Sequence, residues 1–346
     1  MYILGIESSC DESAAAVLKA SGQKTEILSS VIASQIEIHA QYGGVIPEIA
    51  AREHVLNILP TIESALKEAK ITKKDIKAIA VTQGPGLITS LIAGIETAKT
   101  LALVWEKPLI PVHHIIGHIY ANFINQAIPP KFPLLALVVS GGHSNLIYMS
   151  GHYNFKIIGE TRDDAAGEAY DKAAKMMGLS YPGGPIVAEH AQIFRDSGQM
   201  AKIELPRPML NSPDLDFSFS GLKTALLYQL QKDKNWRQRL PEYCFAFEQA
   251  IIDTLIHKTI KAVKQYNPKS IVLAGGVAAN NALRQQLTAK ITEKLPKVKL
   301  YLPDRKYTTD NAAMIASAGY FRYYKKKEAA FTSYHKVSAR CDLKMT

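Results

Sequence analysis

The sequence is poor in cysteine and contains no long hydrophobic run. Its three cysteines, Cys10, Cys244 and Cys341, lie far apart, and no CxxC pair is present. This spacing excludes a thiolate zinc finger and argues against a disulfide framework. No apolar stretch reaches the ~20 residues of a membrane span, and no basic, apolar leader precedes the first strand-like run at 2–7. We therefore expect a cytoplasmic protein that does not enter a membrane.

Acidic residues are fewer than basic ones, with 31 Asp and Glu against 41 Lys and Arg, a net charge of +10. Most of this excess, +8, lies between Lys294 and Thr346. Such a surface suits an anionic partner, namely nucleic acid, nucleotide or a membrane surface, but it is also typical of a solvated tail. Aromatic residues are interspersed with basic side chains at 320–327. Basic side chains suit contact with the RNA backbone, and aromatic rings suit stacking on the nucleotide bases.

The two halves of the sequence repeat one order of elements. With 346 residues the chain has the length of roughly two domains. In each half a hairpin with a polar tip, at 8–13 and 140–144, precedes a strand, a glycine turn and a helix. The glycine turns begin at Gly84 and Gly275. The longer spacing in the second half predicts a helical insertion at about 162–235.

This duplication predicts both domain boundaries and a ligand. We expect an N-terminal α/β domain at 1–110 and a C-terminal α/β domain at 111–346, with the last helices packing back on the first domain. Each glycine turn opens a helix, whose first backbone N–H groups attract anions. If the halves face each other, the tips and turns would line one cleft suited to a phosphate. Glycine turns of this kind also occur in α/β proteins without a phosphate.

Two histidines at helical spacing form the sharpest local motif. His114 and His118 stand four residues apart, so a helix places both imidazoles on one face, as two ligands of one metal require. The glutamate of the HExxH motif of zinc proteases is missing, because Ile115 stands there. Asp310 is a candidate third ligand, although one of residues 308–310 could equally cap the following helix. Two histidines and a carboxylate suit Fe²⁺, with Zn²⁺ as the alternative.

A second group of polar residues follows the second hairpin. Asp163 and Asp164 are interpreted as ordinary caps of their own helix. Asp171 lies further along that helix, where it is either merely exposed or accepts hydrogen bonds from a sugar or an amino-acid group. The rigid turn at 181–185 could direct glycine amides at a ligand, and the segment at 216–223 is either a loop that packs aromatics or a gate.

Taken together, these motifs resemble one family, the TsaD family of tRNA N6-adenosine threonylcarbamoyltransferases. The similarity covers nearly the whole chain, from residue 3 to about 320, in the family's order. The motifs that carry it are Ile6–Ser13, His113–His118, Ser140–His143, Asp163–Lys172, Tyr181–Pro185, Phe217–Lys223, Ala274–Asn280 and Thr309–Asn311.

The resemblance implies a fold and a reaction. The fold would be the actin-like, sugar-kinase-like ATPase fold, an α/β fold with two related domains around a nucleotide cleft. The reaction would move a threonylcarbamoyl group from threonylcarbamoyl-adenylate to N6 of adenosine 37 in tRNAs that read codons starting with A. The basic residues would then serve tRNA, because lysines and arginines release counterions from its phosphates.

The resemblance also assigns ligands and partners. It implies that the metal is held by His114, His118 and Asp310. The residues implied to hold the donor nucleotide, threonylcarbamoyl-adenylate or ATP or AMP, are Val138, Val139, Ser140, Gly141, Gly142, Asp171, Gly184 and Asn280. The implied partners are tRNA, an inactive TsaB-like paralogue and a TsaE-like small ATPase, with a TsaC-type synthase supplying the adenylate.

The chemistry of the reaction suggests roles for two further sets of groups. Backbone amides of the turn at 140–142 could bind the negative charge that develops during acyl transfer. The N6 amine is a weak nucleophile, so a positioned base would help. Asp11 or Glu12, in the first hairpin tip, is our candidate for that base. The alternative is that these acids only orient the hairpin or contact metal-bound water.

Three other functions are weighed against the transferase. A metalloendopeptidase would explain the histidine pair but lacks its glutamate. A carbamoyltransferase of the hydrogenase-maturation type shares a similar histidine run, but its zinc-finger segments need cysteines that this sequence lacks. A non-enzymatic nucleotide-binding scaffold, like the inactive paralogue, would lack the histidines.

Overall fold

The computed structural model describes residues 1–345 and divides into two α/β units. The first unit comprises residues 1–130 together with the segment that starts at Pro303, and the second comprises residues 131–302. This division differs from the predicted boundary between residues 110 and 111. The difference arises because the helix with His114 and His118 packs on the last helix of the chain, within the first unit.

The bounds of the elements are as follows. The first unit contains β1 (Tyr2–Glu7), β2 (Glu12–Ser21), β3 (Lys24–Ser34), α1 (Ile36–Ala40), α2 (Pro47–Glu68), β4 (Ile76–Gly84), α3 (Ile88–Trp105), β5 (Leu109–His113), α4 (His114–Tyr120) and α10 (Ala312–Lys326). The second unit contains β6 (Leu134–Val139), β7 (Ser144–Gly151), β8 (Asn154–Glu160), α5 (Ala166–Met176), α6 (Gly183–Asp196), α7 (Ser220–Lys232), α8 (Leu240–Tyr266), β9 (Ser270–Ala274), α9 (Asn281–Lys294) and β10 (Lys299–Tyr301).

The two sheets share one strand order, which confirms the predicted duplication. The first sheet runs β3-β2-β1-β4-β5, and the second, read in the same sense, runs β8-β7-β6-β9-β10. In each sheet the three strands that come first in sequence pair antiparallel with one another. The remaining two strands run parallel to the earliest of these three. Four helices, α5 to α8, separate β8 from β9, and the predicted insertion at 162–235 covers the first three.

Each sheet carries its own hydrophobic core. The central strands β6 and β9 are buried along their whole length, as expected for parallel strands that are covered on both faces. Their side chains join those of α5 to α9 in the core of the second unit. In the first unit, β1 and β4 pack with α2 and α3 around residues such as Ile6, Ile79 and Ile95. These cores fix the ends of the strands, where the polar motifs lie.

One helix among the described residues, α3, is long and apolar enough to cross a membrane. Its inner face, with Leu91, Ile95 and Ala98, is buried in the core of the first unit. At 18 residues it is slightly shorter than the ~20 residues of a typical span. The same composition is typical of a core helix, so α3 is weak evidence for a membrane.

Helix α10 closes the first unit by packing against β1, β2, β4 and β5. The approach is so close that two glycines are required. A Cβ at Gly5 would lie 2.3 Å from the carbonyl oxygen of Ala312, and one at Gly319 would lie 2.6 Å from Cβ of Ala80. The chain therefore returns to its N-terminal sheet and places residue 310 beside α4.

The aromatic residues of the basic segment belong to this packing. Tyr320 and Phe321 are 3% and 0% exposed. Phe321 stacks on Tyr120 with the ring centroids 5.2 Å apart, and the hydroxyl of Tyr320 donates to the carbonyl of Gly22 at 2.7 Å. The prediction that the aromatics stack on RNA bases is therefore wrong for these two residues. The lysines at 325–327 remain exposed.

Candidate functional site

Helix α4 and the start of α10 bring the three predicted metal ligands together. One ligand atom from each of His114, His118 and Asp310 lies within 4.8 Å of the others. Asp310 Oδ1 is 3.5 Å from His114 Nε2 and 3.2 Å from His118 Nε2. The two imidazoles stand edge to face with centroids 4.7 Å apart. Ligand atoms bound at ~2.1 Å to one first-row metal ion lie roughly 3–3.5 Å apart, so this donor set fits a single ion.

Asn311, and not Asp310, caps helix α10. Its side-chain oxygen accepts a hydrogen bond from the backbone N–H of Met314 at 2.9 Å. The sequence left open whether a residue of 308–310 serves this capping function. Because Asn311 satisfies the helix end, the carboxylate of Asp310 can face the histidines.

Glu7, at the end of β1, is a residue that sequence reasoning missed. Its Oε2 lies 3.2 Å from His114 Nδ1, and Ser9 Oγ lies 3.1 Å from the same nitrogen. Glu7 is fully buried and accepts hydrogen bonds from Thr82 Oγ1 and from the backbone N–H of Ser9, both at 2.6 Å. A carboxylate behind a ligating histidine fixes the ring and turns its other nitrogen to the metal. The sequence feature that could have identified Glu7 is a carboxylate at the end of a buried strand.

The electrostatics of this cluster favour a positive charge. Burial alone would lower the pKa of His114, but the carboxylates of Asp310 and Glu7 outweigh burial and raise that pKa to about 9. Burial lowers the pKa of His118. Both ring nitrogens of His118 are buried: Nε2 faces Oδ1 of Asp310 at 3.2 Å, and Nδ1 has no hydrogen-bond partner among residues 1–345. An imidazole buried against a carboxylate in this way is an environment that a divalent cation would satisfy.

The first hairpin tip holds the two acids proposed as a base. Asp11 and Glu12 are 7% and 8% exposed. Burial, together with the neighbouring carboxylates, raises the pKa of Glu12 to about 10. His54, on α2, anchors the tip: its Nδ1 lies 2.7 Å from Ser13 Oγ and its Nε2 lies 3.0 Å from the carbonyl of Cys10. No sequence pattern pointed to this anchoring histidine.

The first glycine turn does not offer free amides. The N–H of Gly86 donates to the carbonyl of Cys341 at 3.3 Å, and that of Leu87 donates to the carbonyl of Ser9 at 2.8 Å. The C-terminal segment and the hairpin tip thus use these donors. The prediction that both glycine turns present N–H groups to a phosphate is therefore wrong for the N–H groups of Gly86 and Leu87.

The second hairpin tip is open. Val138 and Val139 end β6 with buried side chains, so only their backbone groups can reach a ligand. Gly141 and Gly142, in the turn that follows, are exposed, and no hydrogen bond from within the described chain engages their N–H groups. The carbonyls of Ser140 and Gly141 accept hydrogen bonds from the N–H groups of Gly167 and Glu168, in the first turn of α5, both at 3.1 Å. Helix α5 thereby holds the turn in place.

The remaining predicted nucleotide residues lie around this turn. The strand pairing of β6 with β9 aligns Val138 with Ala274, and the turn after β9 packs on β6 and α5. Asn280, which follows that turn, caps α9 by accepting from the N–H of Leu283 at 2.8 Å. Asp171 accepts from the N–H of Gly183 at 2.8 Å, where α6 begins. Burial raises the pKa of Asp171, and this effect outweighs the hydrogen bonds from backbone amides at the start of α6, which lower that pKa.

Asp163 and Asp164 do not cap their own helix, contrary to prediction. Helix α5 begins at Ala166, and Asp163 instead accepts from the N–H of Phe219 at 2.8 Å and from Ser220 Oγ at 2.6 Å, at the start of α7. Asp164 pairs with Lys172 and Lys223. Phe219 is fully buried. The segment at 216–223 therefore packs its aromatics in the core, and its last four residues form the first turn of α7.

The chain is similar in sequence to known transferases. The family model of TsaD, described as tRNA N6-adenosine threonylcarbamoyltransferase, matches residues 26–317. A relative of that name from Geobacillus thermodenitrificans is 50% identical over 331 residues, which are 95% of this chain and 94% of the relative. Another of that name, from Staphylococcus carnosus, is 50% identical over 323 residues, or 93% and 91% of the two chains. The solved structure of HypF from T. kodakarensis has a TM-score of 0.62 and 13% identity, covering 96% of this chain and 48% of HypF.

The fold and the donor set define a duplicated α/β protein of the actin-like, sugar-kinase-like class with a candidate metal centre. The likeness to HypF concerns the fold alone. Within this class, the chain belongs to the TsaD family of tRNA N6-adenosine threonylcarbamoyltransferases and is a transferase that modifies tRNA. The resemblance drawn from the motifs is confirmed, and the endopeptidase and scaffold alternatives are set aside.

Replacing a predicted ligand is expected to remove the metal. His118→Ala deletes one nitrogen donor from the set, so the purified variant should retain less than about a tenth of the metal that the wild-type chain retains. His113→Asn is the matched control, because His113 caps α4 through Ile115 and is not one of the three ligands. Metal per chain is measured by elemental analysis, with circular dichroism to check the fold. Full retention by His114→Ala and His118→Ala would show that the ion is held elsewhere.

Proposed function

We propose that the chain transfers the threonylcarbamoyl group of threonylcarbamoyl-adenylate to N6 of adenosine 37 in tRNAs that read codons starting with A. The observation that carries this proposal is the pairing of about 50% identity, over nearly the full length of the transferase relatives, with the His114, His118 and Asp310 cluster. Because tRNA is the substrate, we place the chain in the cytoplasm.

The metal ligands in this proposal are His114, His118 and Asp310, with Fe²⁺ as the ion and Zn²⁺ as the alternative. When bound, the ion would supply Lewis acidity toward oxygens of the donor. Glu7 would hold the ring of His114 through Nδ1, so that Nε2 faces the other two ligands.

The other proposed roles belong to backbone amides and acids. The N–H groups of Gly141 and Gly142 would donate to the negative charge of the donor and of the developing oxyanion. Asp171, Gly184 and Asn280, together with the backbone of Val138, Val139 and Ser140, would hold the nucleotide. Asp11 or Glu12 is the proposed base for the N6 amine.

The reaction itself gives the first test. Transfer RNA is incubated with the chain, its partners, threonine, bicarbonate and ATP, and the nucleosides are analysed by mass spectrometry. We expect threonylcarbamoyladenosine with the wild-type chain and at least about a hundredfold less with His118→Ala, because an acyl-transfer site without its charge-stabilising group loses rates of that order. Absence of the product in a reaction where a relative's enzyme is active would overturn the proposed function.

We propose that the TsaB-like paralogue docks on an apolar face of the first unit. Val55, Leu56 and Leu59 on α2 are 68%, 67% and 52% exposed, and Ile88 and Ile92 on α3 are 44% and 46% exposed. The two helices pack against each other. Clustered exposed apolar side chains mark protein interfaces, and a paralogue of related fold offers helices of the same kind. The TsaE-like ATPase and the TsaC-type synthase complete the proposed set.

Charge placed on this face should prevent the complex. Leu56→Glu puts a carboxylate into the apolar face, and we expect it to weaken binding of the paralogue at least about tenfold. Met200→Glu is the matched control, because Met200 is an equally apolar side chain, 89% exposed, on the second unit. Binding is measured by isothermal titration calorimetry. Unchanged affinity of the Leu56→Glu and Leu59→Glu variants would contradict the proposed docking face.

The exposed lysines 325–327 are proposed to contact the tRNA backbone. Reversing their charge to glutamate should weaken tRNA binding and lower the slope of log affinity against log salt by about one for each phosphate that is no longer neutralised. Reversal of Lys70, Lys73 and Lys74, which are also exposed, gives a control with the same net charge. Equal effects of the two triple variants, or none, would show that the basic segment is only a solvated surface.

A further inference from the structure

A buried carboxylate in the second unit joins two helices that carry proposed nucleotide residues. Glu248, in the middle of α8, is fully buried. Its Oε1 accepts a hydrogen bond from Asn280 Nδ2 at 2.6 Å, and its Oε2 pairs with Arg195. Asn280 caps α9, and Arg195 lies near the end of α6, the helix that begins with the glycines at 183 and 184.

The chemistry of this contact fixes the orientation of the Asn280 amide. An ionised carboxylate only accepts hydrogen bonds, so the NH₂ group of Asn280 must face Glu248. The carbonyl oxygen of the same amide accepts from the N–H of Leu283 at the start of α9. Both ends of the amide are therefore specified, and the side chain cannot turn over. Nδ2 carries a second N–H, which no residue in the described chain engages.

Arg195 pairs with the second carboxylate oxygen of Glu248 in the interior. Its guanidinium lies over the ring of Phe245, 5.2 Å from the centroid, and its side chain is 20% exposed. Because the guanidinium takes Oε2, Oε1 is left to accept from Asn280. Arg195 thus sustains the acceptor that holds Asn280.

We infer that Glu248 is a positioning residue that sets Asn280 to present one N–H donor to an acceptor atom of the adenine nucleotide. The inference rests on the proposed function, in which Asn280 contacts the donor nucleotide. Glu248 itself touches no ligand in this account. Its effect is confined to the nucleotide and does not extend to tRNA.

The chain offers a matched control one residue away. Gln249, on α8, and Gln286, on α9, exchange two amide hydrogen bonds of 2.8 and 2.9 Å. This pair also joins α8 to α9 but does not contact Asn280. Gln249→Ala therefore removes a link between the two helices, whereas Glu248→Gln leaves only one acceptor oxygen for the two donors, Arg195 and Asn280.

The test compares direct binding of ATP and AMP, measured by calorimetry, with steady-state kinetics and thermal stability. We expect Glu248→Gln to weaken nucleotide binding about tenfold, as removal of one oriented hydrogen bond would. The KM for threonylcarbamoyl-adenylate should rise by the same factor, with the KM for tRNA unchanged. Gln249→Ala should leave nucleotide binding unchanged. Glu248→Asp, which keeps the charge beside Arg195, should fold like the wild type and show a smaller loss.

A donor–acceptor exchange separates positioning from packing. In the double variant Asn280→Asp with Glu248→Gln, the new glutamine donates to the new aspartate, which still caps α9. We expect its thermal stability to return to that of the wild type while nucleotide binding does not, because the introduced aspartate lacks the second N–H. Recovered nucleotide affinity would overturn the inference, as would wild-type affinity of Glu248→Gln and Glu248→Asp. If the wild-type chain binds neither ATP nor AMP, the proposed nucleotide site itself fails.

Discussion

The close packing of α10 on the N-terminal sheet and on α4 is the constraint on which the metal cluster depends. Asp310 is almost two hundred residues from His114 in sequence, and only the return of the chain to its first unit brings them together. The return needs small residues where the elements touch. A Cβ at Gly5 would lie 2.3 Å from the carbonyl oxygen of Ala312 in α10, and one at Gly319, on α10, would lie 2.6 Å from Cβ of Ala80. Larger side chains there would push α10, and Asp310 with it, away from the histidines.

The same packing concentrates negative charge that the protein must balance. Glu7 and Asp310 approach His114 from its two ring nitrogens, at 3.2 and 3.5 Å. Buried carboxylates are costly without a partner cation or hydrogen-bond donors. Thr82 and Ser9 satisfy part of Glu7, and the two imidazoles face Asp310. The arrangement gives a physical reason for a cation at this point, independent of any family resemblance.

The strands, the duplication and the His114–His118 pair could be predicted from sequence, because each follows from local periodicity and spacing. The strand Tyr2–Glu7 lies where the pattern placed it, and the turn at Gly275 follows a strand, Ser270–Ala274, as predicted. What failed depends on pairings between distant segments. The carbonyls of Cys341 and Ser9 accept hydrogen bonds from amides of the first glycine turn. Asp163 accepts from the start of a helix more than fifty residues away, and Glu7 contacts His114. No local pattern predicts such pairings. The observed domain boundary differs from the predicted one for the same reason.

The central claim is that α10 delivers Asp310 to a histidine pair to make one metal site. Anomalous diffraction from crystals of the chain grown with Fe²⁺, and separately with Zn²⁺, tests it most directly. The account predicts one strong peak within about 2.0–2.3 Å of Nε2 of His114, Nε2 of His118 and a carboxylate oxygen of Asp310. A bound ion that these three side chains do not share, or an ion held by His114 and His118 with Asp310 turned away, would contradict it.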